Sequence, residues 1–109
     1  MATAYKVLGQ SIPSANTLTS VYTVPGGNSA VISTITICNQ STANATYRLA
    51  VQKGGAAIAA NAYLIYDTTV LAKDTAALTL GITLGATDVL SANCSISNLS
   101  INVFGSEVY

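Results

Sequence analysis

The chain has 109 residues, with four Lys or Arg, four Asp or Glu and no His, so its formal net charge is zero. Charged residues make up 7% of it, against roughly 25% in an average soluble domain. The lack of His excludes Ser-His-Asp and Cys-His chemistry, and the scattered Lys6, Arg48, Lys53 and Lys73 form no basic patch of the kind that neutralises phosphates.

The length fits one domain, residues 1–109. Thr, Ser, Asn and Gly interrupt every hydrophobic stretch, so no run of about 18 apolar residues is available to span a membrane. The opening MATAYKVLGQ lacks the charged n-region and apolar core of a secretory signal. Neither a nucleic-acid partner nor a membrane is expected.

Taken in order, the alternation of β-branched and polar residues predicts about eight strands. The first is Tyr5–Gln10 and the second Leu18–Val24, ended by Pro25, Gly26 and Gly27. The third, Ala30–Asn39, places Val31, Ile35 and Ile37 on one face and Thr34 and Thr36 on the other. The fourth, Thr46–Lys53, sets Tyr47, Leu49 and Val51 against Arg48 and Gln52. A Gly/Ala-rich link, Gly54–Ala62, has room for a single helical turn at Ala56–Asn61. The fifth strand is Tyr63–Val70. The sixth, Thr75–Leu84, carries an apolar face of Leu78, Leu80, Ile82 and Leu84. The seventh is Asp88–Ile96, and the eighth, Leu99–Phe104, turns Leu99, Ile101 and Val103 one way.

Turn signals recur between these segments and no helix intervenes, which indicates an all-β fold, a single antiparallel β-sandwich. Jelly-roll and immunoglobulin-like arrangements both fit eight strands in two sheets. The absence of Trp disfavours a true immunoglobulin domain.

Chemistry is sparse. Asp67, Asp74, Asp88 and Glu107 show no spacing that pairs two carboxylates on one strand face, and Asp74 and Asp88 fit turns in which Asp bonds its own backbone. No catalytic residue, cofactor site or metal site is expected. The glycine pairs at 26–27 and 54–55 lack the Lys-Ser/Thr of a phosphate loop and read as turns. Cys38 and Cys94 read as buried thiols acting as small hydrophobes; a bridge between them would need Cα atoms within about 7 Å. Asn-x-Ser/Thr triplets begin at Asn39, Asn44, Asn93 and Asn98 and are expected in a chain so rich in these residues.

Two pairs of residues are candidates for interactions. Thr34 and Thr36 form a small polar strand face that a neighbouring subunit can cover without burying an ion. Tyr63 and Tyr66 flank the Ala-rich link, where exposed rings would stack on sugars and buried ones would pack in the core. A neutral, weakly repelling surface also points to a homo-oligomer.

The segments AYKVLGQS, VYTVPGGNSAVISTITICNQS, YLIYDTTVLAKDTAALTLGITLGATDVL and FGSEV resemble a group of small structural proteins from tailed bacteriophages. The resemblance covers nearly the whole chain and rests on strand ends and turns, not on a site. It implies a virion component assembled in the host bacterial cytoplasm, with other virion proteins as partners: the major capsid protein, or tail and neck proteins. A capsid decoration or cement subunit is the leading expectation. A tail, neck or fibre component contacting the host surface is an alternative, and a carbohydrate-binding β-sandwich module is another.

Overall fold

The computed structural model describes residues 2–109. Its nine strands are β1 (Thr3–Ser11), β2 (Thr19–Thr23), β3 (Ser29–Asn39), β4 (Ala45–Gln52), β5 (Tyr63–Val70), β6 (Thr75–Leu78), β7 (Ile82–Leu84), β8 (Val89–Cys94) and β9 (Leu99–Val108). They form two antiparallel sheets, one ordered β1-β9-β3-β6 with β7 also on β3, the other β2-β8-β4-β5. The pairing runs from the ends of the chain inward: β1 with β9, β2 with β8, β3 with β6 and β7, β4 with β5. The expected all-β antiparallel sandwich is therefore present. Its sheets are not split as the ABED and CFG sheets of an immunoglobulin domain are.

Inward-facing residues of both sheets meet in one core. Ile32, Ile35 and Ile37 of β3 and Ile101 and Val103 of β9 face Tyr47, Leu49 and Leu90 from the opposite sheet, and all are fully buried. Burying each aliphatic side chain contributes roughly 1.5–3 kcal/mol.

A β-bulge changes one predicted face. Ile32 pairs with Gly105 and Thr34 with Phe104, leaving Ser33 unopposed; its hydroxyl donates to the Phe104 carbonyl at 3.2 Å. The extra residue reverses the alternation. Ala30 and Ile32 face the core before it, and Ile35 and Ile37 after it, so Val31 points outward and is 40% exposed instead of sharing the core face. Gly105 is required there, because a Cβ would overlap the Val31 carbonyl oxygen.

The predicted sixth strand is broken for a related reason. β6 and β7 both lie along β3, but Leu78 pairs with Ile35 and Leu84 with Ala30, so the registers differ by one residue. The intervening residues 79–81 leave the sheet through Gly81, whose φ is +64°. Leu84 is buried, Leu78 and Ile82 are half-buried, and Leu80 swings out to 49% exposure. Counted as one interrupted strand, β6 and β7 restore the expected eight.

The Gly/Ala-rich link forms two short 3-10 turns, Lys53–Gly55 and Ala60–Ala62, in place of a turn across Ala56–Asn61. Gln52 donates to the Ala56 carbonyl, and the Gly54 amide donates to Asp88. The link lies over the outer side of β4 and β8, where Ala50 and Ser91 face each other and are fully buried. Asp88 also accepts from the Gly85 amide, and the two amides hold its carboxyl below the usual range. Asp74 accepts from the Thr75 amide. Both acids thus serve turns.

Cys94 lies in the core, where burial pushes its thiol up to about 11. Cys38 is only half-buried and lies across from Ser100 on the outward side of β3, so the expectation of two core thiols holds for Cys94 alone; both are free. Asn39 is buried, with its amide donating to the Ala43 and Val70 carbonyls and accepting from Ser41. At one end of the sandwich Glu107 is 5% exposed, bonded to Lys6 of its own sheet and to Tyr22 of the other.

Candidate functional site

Two opposite faces carry the residues singled out in the sequence. The first is the outer side of the β1-β9-β3-β6/β7 sheet. The register aligns Val7, Phe104 and Thr34 in one row, Tyr5, Ser106, Val31 and Thr83 in the next, and Gln10, Asn102, Thr36 and Ala77 on the other side. Thr34 and Thr36 are outward, as predicted. Among the described residues none that points outward from these strands is charged. All eight ionic side chains lie elsewhere. Glu107 points into the end of the core and Lys6, half-exposed on the inward side of β1, pairs with it; Lys53, Lys73, Asp74 and Asp88 sit in turns, and Arg48 and Asp67 belong to the other sheet.

Exposed apolar groups gather on this face. Tyr5 is 86% exposed, with Val7, Val31 and Phe104 beside it. The apolar contributions from β1 and β9 were missed in the sequence. Tyr5 and Val7 alternate like core residues, and only the pairing with β9 shows which way they point.

The second face is the outer side of β4, β5 and β8. Here β5 is bulged: Tyr47 pairs with Thr68 and Leu49 with Ile65, so Arg48 alone opposes Tyr66 and Asp67. The bulge places both side chains on one arginine. Arg48 Nε donates to Asp67 Oδ1 at 2.7 Å and an Nη to Oδ2 at 3.1 Å, a bidentate pair. Its guanidinium lies 3.9 Å from the Tyr66 ring centroid and 6.0 Å from that of Tyr63. Tyr63 and Tyr66, both candidate residues from the sequence, meet edge to face with centroids 5.0 Å apart. The hydrogen bond from Arg48 holds the Asp67 carboxyl below its usual range. Asp67 takes a left-handed φ of 54°, unusual away from glycine.

Grooves flank this cluster. A polar one of about 220 Å³ is lined by Asn16, Thr46, Arg48, Asp67, Asn93 and Ser95. A more apolar one of about 350 Å³ is lined by Ile58, Ala59, Ala60, Tyr63 and Tyr66. Arg48 and Asp67 had no signal in the sequence beyond being lone ions in strand-like segments. The bulge that joins them depends on register.

Among the described residues, no three His, Cys, Asp or Glu side chains gather as a metal site, and no helix is long and apolar enough to cross a membrane. No family model matches the chain, and neither does any curated protein sequence. A solved structure similar to it is the crystal structure of a pentameric capsid protein isolated from metagenomic phage sequences, at 17% identity and a TM-score of 0.30. That match covers 95% of this chain and 64% of the other, so the chain spans less than two thirds of that protein's length.

Proposed function

We propose that this protein is a non-enzymatic structural subunit of a bacteriophage virion, a capsid decoration or cement protein that stabilises the particle through subunit contacts. The observation that carries this reading is the ion-free outer face of the β1-β9-β3-β6/β7 sheet. A second copy of the chain is its occupant. Burying a charge without a partner is costly, and two such faces meet without stranding one. Val31, Phe104 and Tyr5 supply an apolar centre, and Ser and Thr side chains supply a hydrogen-bonding rim. The resemblance to small tailed-phage proteins supplies the virion context. The inward pairing of strands, first with last and second with next to last, supports reading the sandwich as a jelly roll.

Quantifying the chain in purified particles tests this. A copy number that tracks the capsid lattice supports decoration. A small number set by tail symmetry transfers the subunit to the tail or neck, and absence from particles overturns the virion reading. The tail, neck or fibre alternative, with contact to a host surface, is favoured by one observation: Tyr66 is 59% exposed and lines an apolar groove.

A further inference from the structure

We infer that the Tyr66–Arg48–Asp67 ridge, with the polar groove beside it, is a binding site for a neutral oligosaccharide. The ridge has two unlike sides. Toward Asn16, Thr46, Asn93 and Ser95 the groove offers amide and hydroxyl groups that both donate and accept. Sugar hydroxyls also do both, so vicinal hydroxyls match such a lining. Across Arg48 from it, on the side of the apolar groove, the Tyr66 ring is 59% exposed; the guanidinium lies over the ring, and its open surface suits the apolar C–H face of a pyranose.

The charge arrangement selects the ligand class. Arg48 is already neutralised by its bidentate partner. An incoming sulfate, phosphate or sialic acid would meet the Asp67 carboxylate, whose side chain is half-exposed. A neutral polyol can instead donate to that carboxylate and accept from the guanidinium.

The backbone supplies an independent indication. The described non-glycine residues with positive φ are Asn16, Asp67, Lys73 and Thr87, and two of these, Asn16 and Asp67, line the same groove. Asn and Asp adopt this backbone more readily than other non-glycine residues, and here it turns two groove-lining residues out of regular strand geometry, as often happens at functional sites. Asn16 is held in place by its amide donating to the Cys94 carbonyl at 2.7 Å. The ring, the ion pair and the Asn16 backbone are thus held by contacts within the protein, which lowers the ordering cost of binding.

This inference does not rest on the assembly reading, which uses the opposite sheet. The test is a glycan array carrying neutral, sialylated and sulfated oligosaccharides, probed with the intact chain and followed by NMR titration with the best-binding glycan. Binding to neutral glycans is expected, with amide shifts at Asn16, Arg48 and Asn93. Tyr66→Ala should weaken it about tenfold, the scale of one lost stacked ring, while Tyr66→Phe retains it. An unchanged melting temperature and oligomeric state in both variants would separate loss of the site from loss of fold or assembly. Binding only to anionic glycans, binding unaffected by Tyr66→Ala, or no binding to any glycan would overturn the inference.

Discussion

The Tyr22 hydroxyl donates a 2.5 Å hydrogen bond to Glu107 Oε2 and thereby joins the two sheets through a buried carboxylate. Lys6 completes the arrangement from the neighbouring strand. Both partners hold the Glu107 carboxyl below its ordinary range, Lys6 having the larger effect. A depressed folded value stabilises the native state above the unfolded value, about 4.3 for Glu, and that stability is lost as pH falls through the folded value. Melting temperature should therefore drop on acidification below about pH 4.3. Asp67 and Asp88 are shifted the same way, so the contribution of Glu107 is the difference between the wild-type and Glu107→Gln melting curves. Equal acid dependence in the two would refute it. At the alkaline end, burial and the bond to Glu107 raise the Tyr22 phenol. Its share of stability is complete below about pH 10 and declines above it, a decline that Tyr22→Phe should reduce.

Gly105→Ala tests the bulge in β3. The added methyl group would strike the Val31 carbonyl, a backbone atom that cannot rotate away. The expected cost is about 3 kcal/mol, at the upper end of overpacking penalties, read by denaturant unfolding. Gly26→Ala, at a turn position with open space around it, serves as the tolerated control.

Thr36→Lys puts an ion into the proposed assembly face without touching the core. Sedimentation should shift toward the monomer, while the melting temperature of the monomer stays close to wild type. An unchanged oligomer with a lowered melting temperature would reverse the assignment of this face.

The thiols give a chemical readout of the same surface. In a native monomer, a maleimide should label Cys38, which is half-buried on the outward side of β3, and spare Cys94, which is buried with its thiol raised to about 11. Unfolding should release the second thiol. Assembly through the ion-free face should slow labelling of Cys38; an unchanged rate in the oligomer would place the interface elsewhere.

The alternation in the sequence carried the architecture well because most core strands obey it. Tyr47, Leu49, Leu99, Ile101 and Val103 all point where their spacing indicates. The departures occur at bulges. Ser33 turned Val31 outward, the break at residues 79–81 expelled Leu80, and the β5 bulge brought Asp67 onto Arg48. A bulge is a relation between two strands, and a single strand's sequence does not contain its partner's register. The candidate sites were legible to the same degree. Thr34, Thr36, Tyr63 and Tyr66 were visible as residue types, whereas Tyr5, Phe104, Arg48 and Asp67 became partners only after pairing.

The pairing of β1 with β9 has a consequence for how the protein is made. Thr3 lies in register with Val108, and Ser11 with Ile101, so β1 waits for β9. At ~5–20 residues per second of synthesis, β1 spends several seconds on the ribosome without its partner, its edge and Tyr5 and Val7 open to other chains. Nascent copies on one messenger are therefore exposed to one another before any can close its fold, and the yield of soluble protein should rise when translation is sparse and fall when ribosomes are crowded.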